Sequence, residues 1–353
     1  MSKNPTATGK RREKPAVCAF CEGTRMVSVM DFGEVALAGG FLRDSTLNAE
    51  QRYPLELFFC EDCYAVQLVD VVDPDVLFRD YFYFSSAIAT LREHFVDYST
   101  EVTSRFLDPQ NSTVVEIGCN DGILLRPFAE QGVRTVVGVD PATNVVNTIN
   151  DPRLNIVNGF FDESLAEEIE VRFGPADMIV ANNVYAHIPD ILGVTRGVRR
   201  LLGENGVFIF EVHHLGKLIN GYQYDMVYHE HLYYYSLIAL ENHFARHDME
   251  VFDVKAIPIH GGSMRFYVRH RSAAHAAPSP RVAMLRKSEL DAGLDRASTY
   301  ESFAANIAER RAQLMELLGR IRAKGKTIAG YGASGRANTI IQYCAISSEH
   351  LDY

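Results

Sequence analysis

A run of aromatic and titratable residues ends at His231: Tyr228, His229, Glu230, His231. A neutral histidine accepts a proton near pH 7, a neighbouring carboxylate can fix its tautomer, and a tyrosine can donate to a forming oxyanion. In an extended chain the two histidines share one side, whereas a helical turn brings Tyr228 to His231. The run predicts acid–base chemistry, and a metal site at the two histidines is the alternative.

A further histidine, His187, follows a strand predicted over 177–182. Ligands bind outside the carboxyl ends of the strands in open α/β sheets. We therefore expect His187 to face a substrate and Asn182, at the end of that strand, to face a cofactor.

Four of the six cysteines form two pairs, Cys18-x-x-Cys21 and Cys60-x-x-Cys63. Two thiolates from each of two tight turns can close a tetrahedron on Zn²⁺. Four cysteine ligands leave no open coordination position, so the predicted site is structural. The stretch between the pairs must then fold as a small β-rich insert. The alternative to a zinc site is four unrelated buried thiols.

A glycine turn follows the apolar run that begins at Val114, and it contains Glu116, Gly118, Asn120 and Gly122. Glycines let a backbone approach a ligand closely, and the next helix would present its N-terminus to the ligand's polar part. The following strand ends in Asp140, placed to accept hydrogen bonds from ribose hydroxyls. These residues predict a site for an adenosyl cofactor.

The glycine spacing discriminates between cofactors. A dinucleotide site needs G-x-G-x-x-G, whereas this turn reads Glu116-x-Gly118-x-x-x-Gly122. The carboxylate of Glu116 can bind an ammonium group, which S-adenosylmethionine has and NAD lacks. The turn favours S-adenosylmethionine, and an ordinary strand–turn–helix of another doubly wound fold is the alternative.

Strands and helices alternate around this turn, as a parallel sheet requires. Two alternating runs, 251–259 and 264–270, flank His260-Gly261-Gly262-Ser263 and predict a hairpin that closes the sheet with an antiparallel edge. The predicted fold class is α/β: a Rossmann-like class I S-adenosylmethionine-dependent methyltransferase with a mostly parallel sheet. Predicted strands lie at 113–118, 134–139, 154–158, 177–182 and 206–212, and helices at 122–131, 142–149, 163–172 and 190–202.

The C-terminal part reads as one long helix over 282–324, a strand at 327–329 and a second glycine turn at 330–335 that enters a helix near Arg336. The sequence ends where the next strand is expected, so we expect an incomplete, truncated Rossmann-like unit. The turn is as consistent with packing as with a sugar-nucleotide contact. The predicted domains are a disordered tail (1–14), a zinc-binding domain (15–75), a methyltransferase domain (76–272) and the C-terminal unit (281–353).

The composition is that of a globular protein: 353 residues, 47% hydrophobic, with a formal net charge of −10. This charge argues against a nucleic-acid surface, which needs clustered Lys and Arg. The basic run at 10–14 is the exception, and we interpret it as part of the tail. No secretory or membrane-spanning segment is recognisable, so we expect a cytoplasmic protein. We also expect a monomer or a weak homodimer.

From Cys18 to Ile346 the order of motifs resembles the deoxysugar C-methyltransferases: cysteine pairs, an aromatic connector at 77–86, the cofactor turn, Ala-His-Ile-Pro-Asp, Tyr-His-Glu-His and the second glycine turn. The resemblance implies an N-terminal zinc domain, a central S-adenosylmethionine domain and a C-terminal Rossmann-like domain. It also implies a nucleotide-linked 4-keto-deoxysugar as substrate.

The resemblance assigns roles in a reaction that removes the proton next to the ketone and methylates the enolate carbon. His231 would be the base, and His187 would hold the enolate or its sugar. Tyr228 and Glu230 would stand beside the base, and Tyr83 would complete the pocket, with Tyr81 as the rival. A small-molecule O- or N-methyltransferase and a zinc-stabilised binding protein are the alternative functions.

Overall fold

The computed structural model describes residues 15–39, 50–78, 81, 83–259, 261–273, 277–332 and 334–353. The predicted tail with its basic run, and His260 of the predicted hairpin turn, lie outside these residues. Ala333 of the second glycine turn and Arg79, Asp80 and Phe82 of the aromatic connector also lie outside them. Within the described ranges, no helix combines the length and apolar character needed to cross a membrane.

The chain divides into two compact units. The first combines the described residues up to Val72 with Leu215–Ser236 and Glu289–Tyr353. The second comprises Asp73–His214 and Leu237–Ser288. This division differs from the domain boundaries expected from the sequence, because residues 215–236 belong to the first unit and not to the span 76–272.

The second unit contains a seven-stranded sheet flanked by helices. Its strand order is β10-β11-β8-β7-β4-β5-β6, with β11 antiparallel to both β8 and β10 and the other pairs parallel. The strands are β4 (Thr113–Ile117), β5 (Thr135–Asp140), β6 (Leu154–Asn158), β7 (Ala176–Asn182), β8 (Leu202–His213), β10 (Met249–Ile257) and β11 (Ser263–His270). The helices in or entering this unit are α1 (Pro74–Phe78), α2 (Ala89–Phe106), α3 (Leu125–Glu130), α4 (Thr143–Val146), α5 (Glu163–Phe173), α6 (Ile191–Leu201), α8 (Leu237–Ala245) and α9 (Pro280–Asp291).

The central strands are buried on both faces, which explains their continuous apolar sequence. All five residues of β4 are buried, and Val114, Met178 of β7 and Ile209 of β8 share one core with helix α2. The predicted α/β fold with an antiparallel edge is confirmed. It brings the carboxyl ends of β4, β5 and β7 to one edge of the sheet, where ligands bind in such folds.

The first unit is built on a four-stranded antiparallel sheet in the order β1-β2-β3-β9. The strand β1 and all of β2 except its last residue, Cys60, lie between the two cysteine pairs, as the predicted β-rich insert requires. The bounds are β1 (Met26–Ala36), β2 (Arg52–Cys60), β3 (Val66–Leu68), β9 (Tyr233–Tyr234), α7 (Leu215–Gly221), α10 (Ala297–Ala323) and α11 (Gly335–Cys344).

Two predictions for the C-terminal part are wrong in detail. The helix expected over 282–324 is broken between α9 and α10, because Gly293 has φ +73° and its carbonyl accepts the hydroxyl of Thr299 at 2.7 Å. The strand expected at 327–329 is not formed. Instead, Gly330 donates to the Tyr353 carbonyl at 2.7 Å and Asp352 donates to the Ile328 carbonyl at 2.8 Å.

Candidate active site

The four cysteines of the two pairs converge in the first unit. Their sulfurs all lie within 4.8 Å of one another, with Cys18 to Cys63 at 3.5 Å and Cys21 to Cys60 at 3.6 Å. Zinc–sulfur bonds of about 2.3 Å in a tetrahedron place the sulfurs about 3.8 Å apart. The observed spacing therefore fits a structural zinc ion.

Two tight turns create this arrangement. The residue after each pair, Glu22 or Tyr64, has a positive φ, and its amide donates to the carbonyl of the first cysteine of its pair, at 2.8 and 2.9 Å. Hydrogen bonds to the sulfurs of Cys18 and Cys60 raise the pKa of the Cys63 thiol. A bound Zn²⁺ reverses this preference because a coordinating thiol is deprotonated.

Tyr228 and His231 form a hydrogen-bonded pair in the first unit. The Tyr228 hydroxyl lies 2.8 Å from Nε2 of His231, and the ring centroids are 4.1 Å apart. Nδ1 of His231 lies 3.1 Å from the Met226 carbonyl oxygen. Because a carbonyl only accepts, Nδ1 carries the proton and Nε2 presents its lone pair to the tyrosine hydroxyl. This tautomer makes Nε2 a proton acceptor.

His229 faces a different part of the first unit. It is 2% exposed, its Nε2 donates to the Tyr53 carbonyl of β2 at 3.2 Å, and burial lowers its pKa. Within the described ranges, the sole group of three or more side chains placed to hold a metal ion is that of the four cysteines. The metal-site alternative at the two histidines therefore gains no support, and Glu230, between them, is partly buried.

In the second unit, Asp140 organises the cofactor turn. Its two carboxylate oxygens accept the backbone amides of Asn120 and Ala142, both at 2.8 Å. Gly118 and Gly122 have φ values of +71° and +77°, and a Cβ on Gly118 would overlap the side chain of Val184. The turn therefore needs its glycines both for backbone conformation and for close packing.

Several buried polar atoms at the carboxyl ends of β4 and β7 have no hydrogen-bond partner among the residues that the structure describes. They are Oε2 of Glu116, Oδ1 of Asp121, and both Oδ1 and Nδ2 of Asn182. Buried polar groups are nearly always hydrogen-bonded, so this cluster indicates a polar ligand at the edge of the sheet. Glu116 and Asn182 are two of the residues that the sequence predicts to bind the cofactor.

The charge at this edge favours a cationic ligand. Burial, followed by the charges of Asp140 and Asp121, raises the pKa of Glu116 well above its usual range. Burial also raises the pKa of Asp140. S-adenosylmethionine carries an ammonium and a sulfonium group, which favour ionised carboxyls, whereas the pyrophosphate of NAD would be repelled.

His187 lies at the end of a row of aromatic rings in the second unit, formed by Phe78, Tyr81 and Tyr83. The ring of Phe78 lies 5.8 Å from those of both His187 and Tyr81, and the Tyr81 and Tyr83 rings are 6.3 Å apart. Burial lowers the pKa of His187 to about 4, so this histidine is neutral near pH 7. The structure thus brings together three of the residues predicted to surround a substrate.

Two asparagines hydrogen-bond to this row, Asn120 of the cofactor turn and Asn144 of α4. The sequence analysis assigned neither of them this role. Asn120 donates to the Tyr83 carbonyl and accepts the Ser85 amide, both at 2.9 Å. Asn144 accepts the Tyr81 amide at 3.1 Å and donates to the Tyr81 carbonyl at 2.8 Å. The sequence analysis expected the Asn120 side chain to bind the cofactor. Its amide group instead forms these hydrogen bonds with the aromatic connector. The one feature of the sequence that could have indicated the role of Asn144 is its position, four residues after Asp140.

Replacing Asp140 with asparagine should raise the dissociation constant for S-adenosylmethionine at least about 10-fold. The change replaces one of the two acceptor oxygens with a donor and removes the charge, which weakens both the ribose contact and the turn, and a hydrogen bond to a charged group contributes about 1.5–3 kcal/mol. Isothermal titration calorimetry measures the effect. Asp97→Asn, at an exposed acid of α2, is the matched control, and equal affinities in the two variants would exclude the ribose assignment.

Three family models match successive parts of the chain. Residues 18–78 match a model described as "Putative zinc binding domain", residues 91–254 match "Methyltransferase domain", and residues 258–353 match "C-methyltransferase C-terminal domain". The described cysteine cluster lies in the first of these spans, and the cofactor turn lies in the second.

Individual proteins resemble the chain to different extents. The C-methyltransferase NovU of Streptomyces niveus is 34% identical over 337 residues, which is 95% of this chain and 80% of that protein. A ubiquinone biosynthesis O-methyltransferase of Sodalis glossinidius is 24% identical over 28% of this chain and 39% of its own length. The solved structure of the magnesium protoporphyrin IX methyltransferase of Synechocystis PCC 6803 with bound SAH aligns with 51% of this chain and with 83% of its own chain. The sequence identity is 12% and the TM-score is 0.40.

Proposed function

We propose that this chain, which belongs to the C-methyltransferase family, methylates the carbon next to the ketone of a nucleotide-linked 4-keto-deoxysugar. Its methyl donor is S-adenosylmethionine, and its four-cysteine cluster lies in a zinc-binding domain. The observation that carries the proposal is the Tyr228–His231 pair. Methylation at carbon requires a base for a carbon acid, and this pair supports that role.

His231 is the proposed base. Its Nε2 takes the proton from the carbon beside the ketone, and the electron pair of the broken C–H bond passes into the enolate. The Met226 carbonyl stabilises the imidazolium that forms, because it already accepts the proton of Nδ1. S-adenosylmethionine supplies an electrophilic methyl group when bound.

Tyr228 changes its hydrogen bond as the proton moves. In the resting pair its hydroxyl donates to Nε2. Once Nε2 is protonated, that nitrogen becomes the donor and the tyrosine oxygen the acceptor. The hydroxyl proton is then released to donate to the enolate oxygen, so that one tyrosine both orients the base and stabilises the product of its action. We assign Glu230 a place beside this pair.

The proposed roles in the second unit are binding and orientation. The neutral His187 donates a hydrogen bond to the enolate or the sugar, and Tyr83 completes the pocket, with Tyr81 as the rival. Glu116, Asn182 and Asp140 bind the polar groups of the cofactor, whereas Gly118, Gly122 and Asn120 shape the turn that receives it.

Solvent isotope exchange tests the proposed reaction. The protein is incubated in D₂O with S-adenosylhomocysteine and dTDP-4-keto-6-deoxyglucose, and deuterium beside the ketone is followed by NMR. A carbon methyltransferase with this substrate class should catalyse exchange above the enzyme-free rate without any methyl transfer. An O- or N-methyltransferase has no carbon acid to deprotonate, so sugar binding without exchange would overturn the proposal.

A further inference from the structure

We propose that Thr339 of α11 is a positioning residue for His231, because its buried hydroxyl fixes the backbone turn whose Met226 carbonyl sets the tautomer of that histidine. The inference rests on the proposed role of His231 as the base. It gives the C-terminal domain a defined task in proton abstraction.

The Thr339 hydroxyl makes an unusual hydrogen bond for a helical threonine. Such hydroxyls commonly bond the carbonyl four residues earlier in their own helix, as Thr195 does to Ile191 at 2.7 Å. Thr339 is 1% exposed, and its Oγ1 donates instead to the Val227 carbonyl at 2.7 Å, outside its helix. The helix therefore holds the residue that directly precedes Tyr228.

A second contact from the same helix face holds the other side of the turn. Arg336, three residues before Thr339, binds Oδ2 of Asp225 through Nε at 2.9 Å and Nη2 at 2.5 Å. Asp225 and Val227 flank Met226, so α11 fixes the backbone on both sides of the carbonyl that accepts the proton of Nδ1.

The same helix also contacts this turn through Cys344, whose sulfur lies 3.5 Å from the Tyr224 hydroxyl. Residues Tyr224–Met226 form a single turn of 3-10 helix, in which Val227 donates to the Tyr224 carbonyl at 3.0 Å. A short 3-10 turn has poorer hydrogen-bond geometry than an α-helix. The hydroxyl of Thr339 adds a hydrogen bond to the carbonyl of Val227, the residue that directly follows this turn.

The test compares Thr339→Val, which keeps the shape but loses the hydroxyl, with Thr339→Ser, which keeps the hydroxyl. We expect Thr339→Val to lower the exchange rate and the kcat of methyl transfer roughly 10- to 100-fold, as displaced catalytic groups do. The KM for S-adenosylmethionine should stay unchanged, and Thr339→Ser should restore most of the rate. If Thr339 had only a structural role, Thr339→Val would lower the unfolding midpoint without lowering kcat at an unchanged KM.

A double variant tests whether the two contacts act as a unit. Thr339→Val combined with Arg336→Met should lose less than the product of the two single losses, because both contacts hold one carbonyl. Equal exchange in Thr339→Val and the parent protein would overturn the inference while leaving the proposed function intact. Absence of exchange in the parent protein would instead overturn the proposed function.

Discussion

His231→Gln should lower both deuterium exchange and methyl transfer by about 10²- to 10⁴-fold, the usual contribution of a general base. Glutamine has a similar reach and can hydrogen-bond Tyr228, but it cannot accept a proton. Because His231 is not among the residues proposed to bind the cofactor, the dissociation constant for S-adenosylmethionine should be unchanged.

His229→Gln is the matched control, because the two histidines are separated by one residue and differ in environment. His229 is buried against β2 and donates to the Tyr53 carbonyl, so its replacement should lower the unfolding midpoint and leave the exchange rate per folded molecule nearly unchanged. Equal losses of exchange in both variants would favour a site shared by the two histidines. Full activity of His231→Gln would eliminate His231 as the base.

The local order of elements in the second unit could be predicted from the sequence because it follows from short-range patterns. A buried strand, a glycine turn and a helix are each visible within a few residues, and Asp140 was found from its place at the end of β5. The break at Gly293 shows the limit, since apolar periodicity continues on both sides of it. The positive φ of Gly293 accompanies the end of the first helix, and the Thr299 hydroxyl donates to the Gly293 carbonyl.

The composition of the first unit could not be predicted in this way. The segment 215–236 joins it through contacts between distant residues: Val66 of β3 pairs with Tyr234 of β9, and the Leu68 amide donates to the Leu232 carbonyl at 2.8 Å. The same holds for Thr339, whose partner Val227 lies 112 residues earlier. Periodicity carries no information about such pairings. The residue types of the site were therefore predictable, whereas the distant residues that hold them in place were not.

Zinc removal should have a large effect on the first unit. Replacing Cys18 and Cys60 with serine removes one ligand from each pair, and a structural zinc in small domains contributes on the order of 10 kcal/mol to folding. We expect loss of the bound zinc and a fall of about 10 °C or more in the unfolding midpoint of this unit. Metal analysis and calorimetry measure the two effects.

The same change should also impair proton abstraction, because the zinc turns contact the strand that follows the base. Phe20, between the first two cysteines, packs edge-on against Tyr233 at 5.1 Å, and β3, which follows Cys63, pairs with β9. Exchange should therefore fall while calorimetric binding of S-adenosylmethionine to the second unit persists. Cys344→Ser, at a cysteine outside the cluster, should retain zinc and serves as the control for the zinc content. A zinc-free double variant with an unchanged unfolding midpoint would contradict the structural role of the metal, because the four sulfurs would then be held together by the fold alone.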